Sequence, residues 1–266
     1  MCDVISFINR KGGCGKSTNS TNFAYCLAKK GFKVLFIDYD GQHNSSTSFN
    51  IDDSDRRQFT IVELLQIIGR KSILPKKEDY IIKTDFGVDL ITCNFIYDSL
   101  DSFFKNLPNG QFIFKKFLND SGLLLDYDFI IIDNNPSFCM SNINSLLASN
   151  HIIIPVFPDL YNSIGMLQVI TEISEIINDK DLNLNNIKIA GVLIGCDDSQ
   201  TNISKKYKQE YQDNNIPTFN TIIPKNISIK NAQENYSVVC KDEPKSKGAL
   251  AYFDFTEEYL KMLGVD

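Results

Sequence analysis

The chain has 266 residues, 43% of them hydrophobic, which is enough for one large α/β domain or two small ones. Its formal net charge of −6 at pH 7 opposes strong non-specific attraction to nucleic acid, so any DNA contact must come from a local basic patch. The seven cysteines form no CxxC pair, so neither a zinc knuckle nor a disulfide framework is expected.

Short apolar, β-branched runs alternate with helical segments along the whole chain. Near-continuous apolar runs are typical of strands buried on both faces, and their alternation with helices predicts a mostly parallel sheet with helices on both faces. No internal repeat or Pro/Ser-rich linker interrupts this pattern, so we predict one α/β domain over residues 1–266. The predicted strands are Val4–Asn9, Val34–Asp38, Val88–Cys93, Phe129–Asp133, Ile152–Val156, Ile189–Gly195 and Thr221–Pro224. The predicted helices are Ser17–Lys30, Ile61–Ile68, Phe112–Leu118, Ile164–Ile177, Ile203–Asn214 and Ala249–Leu263.

A glycine-rich segment joins the first predicted strand to the first predicted helix. In a phosphate-binding loop, backbone N–H groups and the positive end of the helix dipole bind phosphate oxygens. Lys16 can then reach the outer phosphates, and the hydroxyl of Ser17 can bind Mg²⁺. Because the glycine-rich segment lies between a predicted strand and a predicted helix, a phosphate-binding loop is favoured over a chance glycine-rich turn. The predicted nucleotide-binding residues are Lys11, Gly12, Gly13, Cys14, Gly15, Lys16, Ser17 and Thr18.

This segment departs from the general pattern GxxxxGK[ST], because Arg10 stands where the first glycine belongs. The extra Lys11 accounts for the departure, since KGGxGK[ST] is the variant found in ParA- and MinD-type ATPases. From residue 4 to residue 263 the chain resembles the ParA partition group of that family. The resemblance implies a P-loop NTPase that hydrolyses ATP to ADP and phosphate with Mg²⁺. It also implies that Lys11 reaches across an ATP-bound homodimer to the partner's phosphates, so that Lys11 and Lys16 are both catalytic.

Two aspartates end the second predicted strand. The segment from Asp38 to Asn44 is similar to the family's D-x-D-P-Q-G-N and departs from it at Gly41 and His43. The resemblance makes Asp40 the catalytic carboxylate that orients or deprotonates the attacking water, with Asp38 nearer to the metal. An ordinary turn at a strand end is the alternative, but the location one βα unit after the phosphate loop favours a functional pair.

A third carboxylate, Asp133, ends the apolar run Phe129–Asp133. A buried strand that presents an acidic residue at its carboxyl end is the pattern of the Walker B motif, which binds Mg²⁺. The family usually has D-x-P-P here, and Asn135 replaces the first proline without affecting Asp133. The predicted metal ligands are therefore Ser17, Asp38 and Asp133.

Further family positions follow in the second half of the chain. The segments from Ile154 to Asp159 and from Gly191 to Gly195 match the family, as does the stretch that leads into the last predicted helix. The segment after the last predicted strand matches a family segment that lies near the adenine. The resemblance therefore implies that Pro224 and Asn226 contact the nucleotide.

The family contains DNA-carried partition switches and membrane-surface switches of the MinD type, which differ at the C-terminus. A membrane-targeting helix needs a basic face beside a bulky apolar face. The segment Tyr252–Leu263 instead has three acidic residues and one lysine, so we expect no membrane partner. There is also no apolar run of about 18 residues and no signal-peptide pattern. We therefore expect a cytoplasmic protein associated with the nucleoid.

Contact with DNA is expected to be non-specific, because no helix-turn-helix domain precedes the first strand. The resemblance implies double-stranded DNA and a ParB-type DNA-binding protein that stimulates hydrolysis as partners. Exposed lysines on one predicted helix and near the adenine segment are the candidate phosphate contacts, although they also fit a solvated surface. The candidates are Lys205, Lys206, Lys208, Lys225 and Lys230.

Two alternatives to a DNA-carried switch remain. Family arginines that bind DNA are replaced around Ser228, so a MinD-like or other cargo-positioning ATPase that does not use DNA is the first alternative, because fold does not settle function. An iron–sulfur carrier or reductase ATPase is the other alternative. Cys139 follows Asp133 at a distance loosely similar to that of the cluster cysteine in nitrogenase iron-protein relatives, but the missing CxxC pair disfavours this class.

Overall fold

The computed structural model describes residues 2–52, 55, 57–179, 187–195 and 202–265. Within these residues, eight strands form one sheet, and every neighbouring pair is parallel except the third and fourth strands. The strands are β1 (Asp3–Phe7), β2 (Val34–Tyr39), β3 (Ile82–Lys83), β4 (Val88–Ile91), β5 (Phe129–Asn134), β6 (His151–Val156), β7 (Lys188–Gly195) and β8 (Thr218–Ile223). Their order across the sheet is β3-β4-β2-β5-β1-β6-β7-β8. The predicted α/β fold with a mostly parallel sheet is confirmed.

Helices cover both faces of this sheet. No helix in the described part of the chain is long and apolar enough to cross a membrane. The helices are α1 (Lys16–Lys29), α2 (Asn44–Ser48), α3 (Ile61–Gly69), α4 (Ser99–Lys105), α5 (Ile113–Asp120), α6 (Leu123–Asp126), α7 (Met140–Ala148), α8 (Leu160–Asn178), α9 (Asn202–Asp213), α10 (Ile227–Glu234), α11 (Val239–Asp242) and α12 (Lys247–Leu263).

The central strands are buried on both faces because successive side chains point to opposite sides of the sheet. Phe36 of β2 packs in the layer that contains α1 and α12, whereas the next residue, Ile37, packs in the layer of α3 and α5. In the first layer, the ring of Phe23 lies 5.0 Å from that of Phe255 and 5.2 Å from that of Tyr259. Burial of one such ring contributes about 2–3 kcal/mol. These contacts fix α1, which follows the phosphate loop, against the C-terminal helix.

Strand register brings the functional candidates to one edge of the sheet. Asp38 of β2 lies opposite Asp133 of β5, and Asp133 lies opposite Phe7 of β1 on its other side. Because all three strands are parallel, their carboxyl ends meet at the same edge, where ligands bind in open α/β sheets. The glycine-rich segment leaves β1 at this edge.

Each predicted strand and helix overlaps an element of the structure, but several elements are absent from the prediction. Helix α7 shows why, since it buries four polar side chains and therefore lacks apolar periodicity. Asn144 illustrates the reason for their burial: its Nδ2 donates to the carbonyl of Gly110 at 2.8 Å, and its Oδ1 accepts from the N–H of Phe114 at 3.0 Å. The other unpredicted elements are β3, α2, α4, α6, α10 and α11.

Candidate functional site

The glycine-rich segment adopts a backbone shape that side chains disfavour. Gly13 and Gly15 have φ angles of 74° and 86°, in the left-handed region where glycine is strongly preferred. Gly15 is the N-cap of α1 and supplies no side-chain acceptor to the first N–H groups of the helix, which are therefore suited to an anion. A Cβ built at Gly12 or Gly13 meets nothing within 4 Å, so these residues border open space. Burial raises the pKa of the Cys14 thiol, which favours a neutral, packed side chain.

The two lysines of the segment occupy different environments. Lys16 is 7% exposed, and its Nζ donates to the carbonyl of Lys11 at 3.3 Å, so its ammonium group lies inside the loop. The side chain of Lys11 is 47% exposed, and its Nζ lies 3.7 Å from an oxygen of Asp159. The backbone N–H of Lys11 donates to Asn9 Oδ1 at 3.1 Å, which anchors the start of the loop. One lysine therefore faces the loop interior and the other lies at the surface.

Buried hydrogen bonds hold two carboxylates beside this loop. Asp38 and Asp133 are 0% and 1% exposed. Ser46 donates its N–H and its hydroxyl to Asp38 Oδ2, at 2.9 and 2.6 Å. Asp133 Oδ2 accepts from the hydroxyl of Ser45, and the hydroxyl of Ser17 lies close enough to this carboxylate to lower its pKa. Ser45 and Ser46 belong to α2 and were not predicted; the run of hydroxyl residues after the second acidic segment is the signal that the sequence offered.

One oxygen in this cluster identifies the best place for a cation. Asp133 Oδ1 is buried and has no hydrogen-bond partner among the described residues. Together with the hydroxyl of Ser17, it supplies the oxygen ligands that Mg²⁺ prefers. Both oxygens of Asp38 already accept hydrogen bonds, from Ser46 and from the N–H of Asp40, so Asp38 is the less available ligand. No group of three or more His, Cys, Asp or Glu in the described residues can hold a metal.

The buried position of these carboxylates changes their acidity. Burial raises the pKa of Asp38 to about 7, and repulsion from Asp133 adds to the effect. Burial likewise raises the pKa of Asp133 to about 6, although the hydroxyls of Ser17 and Ser45 and the charge of Lys16 oppose the rise. Two carboxylates are thus held close together at a cost in stability, which is typical of functional sites.

Replacement of Asp38 by Asn is expected to stabilise the nucleotide-free protein at about pH 8. The amide avoids a buried charge and its oxygen still accepts from Ser46, which outweighs the loss of the long 3.3 Å bond from the N–H of Asp40. The pKa of Asp38 in the folded protein is about 7, against 3.8 for an ordinary aspartate. Protonation of Asp38 therefore stabilises the folded protein fully below pH 3.8, and this stabilisation is lost as the pH rises through about 7. Thermal unfolding should show Tm raised by about 2–6 °C near pH 8, with the difference shrinking toward pH 5. Asp85→Asn, at an exposed site, should show no such pH dependence, and a lower Tm for Asp38→Asn contradicts the expectation.

Asp40 occupies the turn after β2 and is the most accessible of the three carboxylates, at 9% exposed. Its Oδ1 accepts from the N–H of Gln42 at 3.0 Å. A Cβ built at the neighbouring Gly41 lies 3.3 Å from the Cβ of Tyr97 and 3.4 Å from the carbonyl oxygen of Asn94. This close packing accounts for glycine in place of the family's proline. The turn therefore leaves Asp40 slightly more accessible than Asp38 and Asp133.

A cavity of about 530 Å³ adjoins the loop on the side away from the carboxylates. Gly15 and Thr18 line it from the loop and α1, and Pro224 and Asn226 line it from the segment after β8. The Nε2 of Gln233 on α10 donates to Thr18 Oγ1 at 2.7 Å and so bridges the two sides. The structure thus brings the two predicted adenine contacts to the phosphate loop, across more than 200 residues of sequence. Gln233 was not predicted.

The five candidate DNA lysines fall into two groups. Lys205 and Lys206 are exposed on α9, whereas Lys208 is half-buried and its Nζ donates to a backbone carbonyl of β8 at 3.0 Å. Lys225 and Lys230 instead line the cavity beside the phosphate loop. The structure therefore places three of the lysines on one helix and two at the cavity beside the glycine-rich loop.

Comparisons with known proteins agree with this geometry. The family model described as AAA domain matches residues 2–189. An uncharacterised protein of Methanocaldococcus jannaschii, MJECL24, is 32% identical over 260 residues, which cover 96% of both chains. The sporulation initiation inhibitor protein Soj of Bacillus subtilis is 28% identical over 262 residues, 97% of this chain and 98% of Soj.

A solved structure supports the same fold. Cobyrinic acid a,c-diamide synthase from Mycobacterium smegmatis, crystallised with ADP and magnesium, superposes with a TM-score of 0.82. The two chains are 24% identical, and the match covers 99% of this chain and 96% of the synthase. The chain therefore belongs to the AAA domain family and, within it, to the ParA/MinD-type partition and positioning ATPases.

Proposed function

We propose that the chain is a single-domain, ATP-dependent dimerising switch for DNA segregation. The observation that carries this proposal is the position of Lys16 inside the phosphate loop, next to the contact between Ser17 and Asp133. An ammonium group and an oxygen-rich cation site side by side are what the hydrolysis of a magnesium nucleotide needs, because catalysis there is mostly positioning and charge neutralisation.

Each side chain of the site has a distinct role in this proposal. Lys16 neutralises the outer phosphates from inside the loop. Ser17 and Asp133 hold magnesium, with Asp38 behind them, and the bound ion offsets phosphate charge. Asp40 orients the attacking water and accepts its proton, because it is the least buried of the three aspartates.

Lys11→Ala is expected to remain monomeric when ATP is added while it folds and binds nucleotide. In the proposed dimer, Lys11 reaches the phosphates of the partner, and its exposed position at the edge of the loop suits this role. Its ion pair with Asp159 is half exposed, so releasing the lysine costs less than about 1 kcal/mol. Gel filtration with and without ATP measures the effect.

The matched control is Lys33→Ala, which removes an equal charge from an exposed site just before β2, at the opposite edge of the sheet. This control should dimerise like the unaltered chain. A Lys11→Ala protein that still dimerises with ATP would contradict the proposed role.

The ATP-bound dimer is expected to bind duplex DNA without sequence preference. Dimerisation aligns two α9 surfaces, and with about six phosphate contacts the affinity should fall about 1,000-fold between roughly 50 and 200 mM salt. Joint replacement of Lys205, Lys206 and Lys208 by Glu should weaken binding at least about tenfold. Mobility-shift titration of random-sequence DNA measures this best in an Asp40→Ala background, where hydrolysis does not dissolve the dimer.

A control with the same change of charge should leave DNA binding within about twofold of the unaltered chain. It replaces three exposed lysines from other surfaces by glutamate. Absence of any shift at low salt, with the ATP dimer present, would move the proposal to a non-DNA cargo. The control lysines are Lys29, Lys76 and Lys115.

One observation favours that second candidate, a MinD-like or other positioning ATPase with a non-DNA cargo. Ser228, near the replaced family arginines, is buried, and its hydroxyl donates to Glu243 at 2.6 Å. It therefore presents no group to a phosphate backbone.

A membrane is the less suitable alternative, since Phe255 and Tyr259 on the apolar side of α12 are fully buried. A ParB-type stimulating partner and association with the nucleoid belong to the first candidate.

A further inference from the structure

An asparagine on the first turn of α1 faces the cavity next to the phosphate loop. The backbone N–H of Asn19 donates to the carbonyl of Gly15 at 2.8 Å, which places Asn19 in that first turn. Asn19 lines the same cavity as Pro224 and Asn226 but is only 3% exposed. The small accessible part of its side chain therefore lies on the wall of the cavity.

A tyrosine from the C-terminal helix fixes the orientation of this side chain. The hydroxyl of Tyr252, on α12, donates to Asn19 Oδ1 at 2.8 Å. Tyr252 is 1% exposed, and burial raises its pKa well above the usual value, so the hydroxyl keeps its proton. Because the carbonyl oxygen of the amide is engaged by this donor, the NH₂ group points away from Tyr252.

The NH₂ group of Asn19 has no acceptor among the described residues. Its Nδ2 lies 3.2 Å from the position that a Cβ would take at Gly15, so the amide approaches the loop only because residue 15 is a glycine. Asn19 lines the cavity, so a group in the cavity can accept a hydrogen bond from this amide. A ligand atom in the cavity would supply the missing acceptor.

We propose that Asn19 recognises a purine base in this cavity by donating a hydrogen bond from its side-chain amide to an unprotonated ring nitrogen, with Tyr252 as the residue that positions the amide. The ring nitrogens of adenine at positions 1, 3 and 7 are acceptors, whereas its exocyclic amino group is a donor and does not pair with another donor. Pro224 and Ile229 supply apolar walls for the planar ring. This inference rests on the proposed nucleotide site.

Calorimetric titration of the full chain with magnesium and ATP, or with its 1-deaza, 3-deaza and 7-deaza analogues, tests the hydrogen bond. The unaltered chain should bind one analogue about three- to tenfold more weakly than ATP. Asn19→Ala should bind ATP about as weakly as the unaltered chain binds that analogue, and it should no longer distinguish the two. Tyr252→Phe should lose part of the discrimination, because its amide is free to turn.

Two controls separate recognition from a structural effect. Tyr259→Phe removes the hydroxyl of another buried tyrosine on α12, which donates to Asp3 at 2.6 Å, and it should keep full discrimination. Magnesium pyrophosphate contacts the loop but carries no base, so its affinity should be the same in Asn19→Ala and the unaltered chain.

The possible outcomes distinguish this inference from the proposed site. If the unaltered chain binds ATP and all three deaza analogues with equal affinity, the inference is overturned while the proposed site stands. The same holds if Asn19→Ala loses as much affinity for the deaza analogue as the unaltered chain does. Purine riboside triphosphate lacks the exocyclic amino group. If it alone binds more weakly than ATP, the amide presents its oxygen rather than its NH₂ group, and the inference is overturned. Failure of ATP itself to bind would refute the proposed nucleotide site.

Discussion

Lys16→Ala is expected to weaken ATP binding by about 2 kcal/mol or more, which corresponds to at least roughly thirtyfold in Kd. The ammonium of Lys16 is nearly buried inside the loop, where it donates to the backbone carbonyl of Lys11. A desolvated cation next to phosphate oxygens forms strong, charge-assisted hydrogen bonds, and alanine removes all of them. Calorimetric titration with ATP and magnesium measures the loss.

Lys29→Ala is the matched control, because it removes a lysine from the exposed last turn of the same helix. Its ATP affinity should equal that of the unaltered chain. The two variants should also have similar far-ultraviolet circular dichroism, which separates lost binding from lost folding. If Lys16→Ala binds ATP with undiminished affinity, the loop between β1 and α1 is not the phosphate site.

Asp40→Ala is expected to slow ATP hydrolysis at least about 100-fold while ATP still binds, because a positioned proton acceptor contributes about 100- to 10,000-fold. The ATP dimer should then persist, since the step that dissolves it is blocked. A phosphate-release assay and gel filtration with ATP measure the two effects on one sample. Asp40→Ala should thus lose ATP hydrolysis but keep ATP binding, whereas Lys16→Ala should lose ATP binding itself.

Asp40→Asn shows whether the charge or the turn matters. Its amide oxygen still accepts from the N–H of Gln42, so the turn after β2 is retained while the proton acceptor is lost. Asp40→Asn should therefore hydrolyse ATP as slowly as Asp40→Ala, whereas Asp85→Ala, at an exposed site, should be fully active. Normal turnover in Asp40→Asn would assign Asp40 a structural role instead.

The phosphate loop and the fold class were predictable from the sequence because their signals are local. The residues from Lys11 to Thr18 are contiguous, and their glycines, lysine and hydroxyl residues are required by one compact loop. The positions of Asp38 and Asp133 were predictable for a similar reason, since each ends a run of apolar residues that forms a buried strand, and their metal-binding roles stay predictions. The parallel sheet followed from the alternation of such runs with helices, which the strand order confirms.

The contacts that complete the site were decided only by tertiary structure, since they join residues that no sequence period links. Asn19 and Tyr252 are 233 positions apart, and Thr18 and Gln233 are 215 apart. Helix α7 was missed because its buried face is polar, and Asn144 and Ser145 bond there to segments that the helix meets only in the folded chain. The sequence by itself determined the phosphate loop, the acidic strand ends and the α/β fold, through local patterns. Tertiary packing determined which polar groups meet around them, because hydrogen bonds between distant segments form only once the sheet and its helices are assembled.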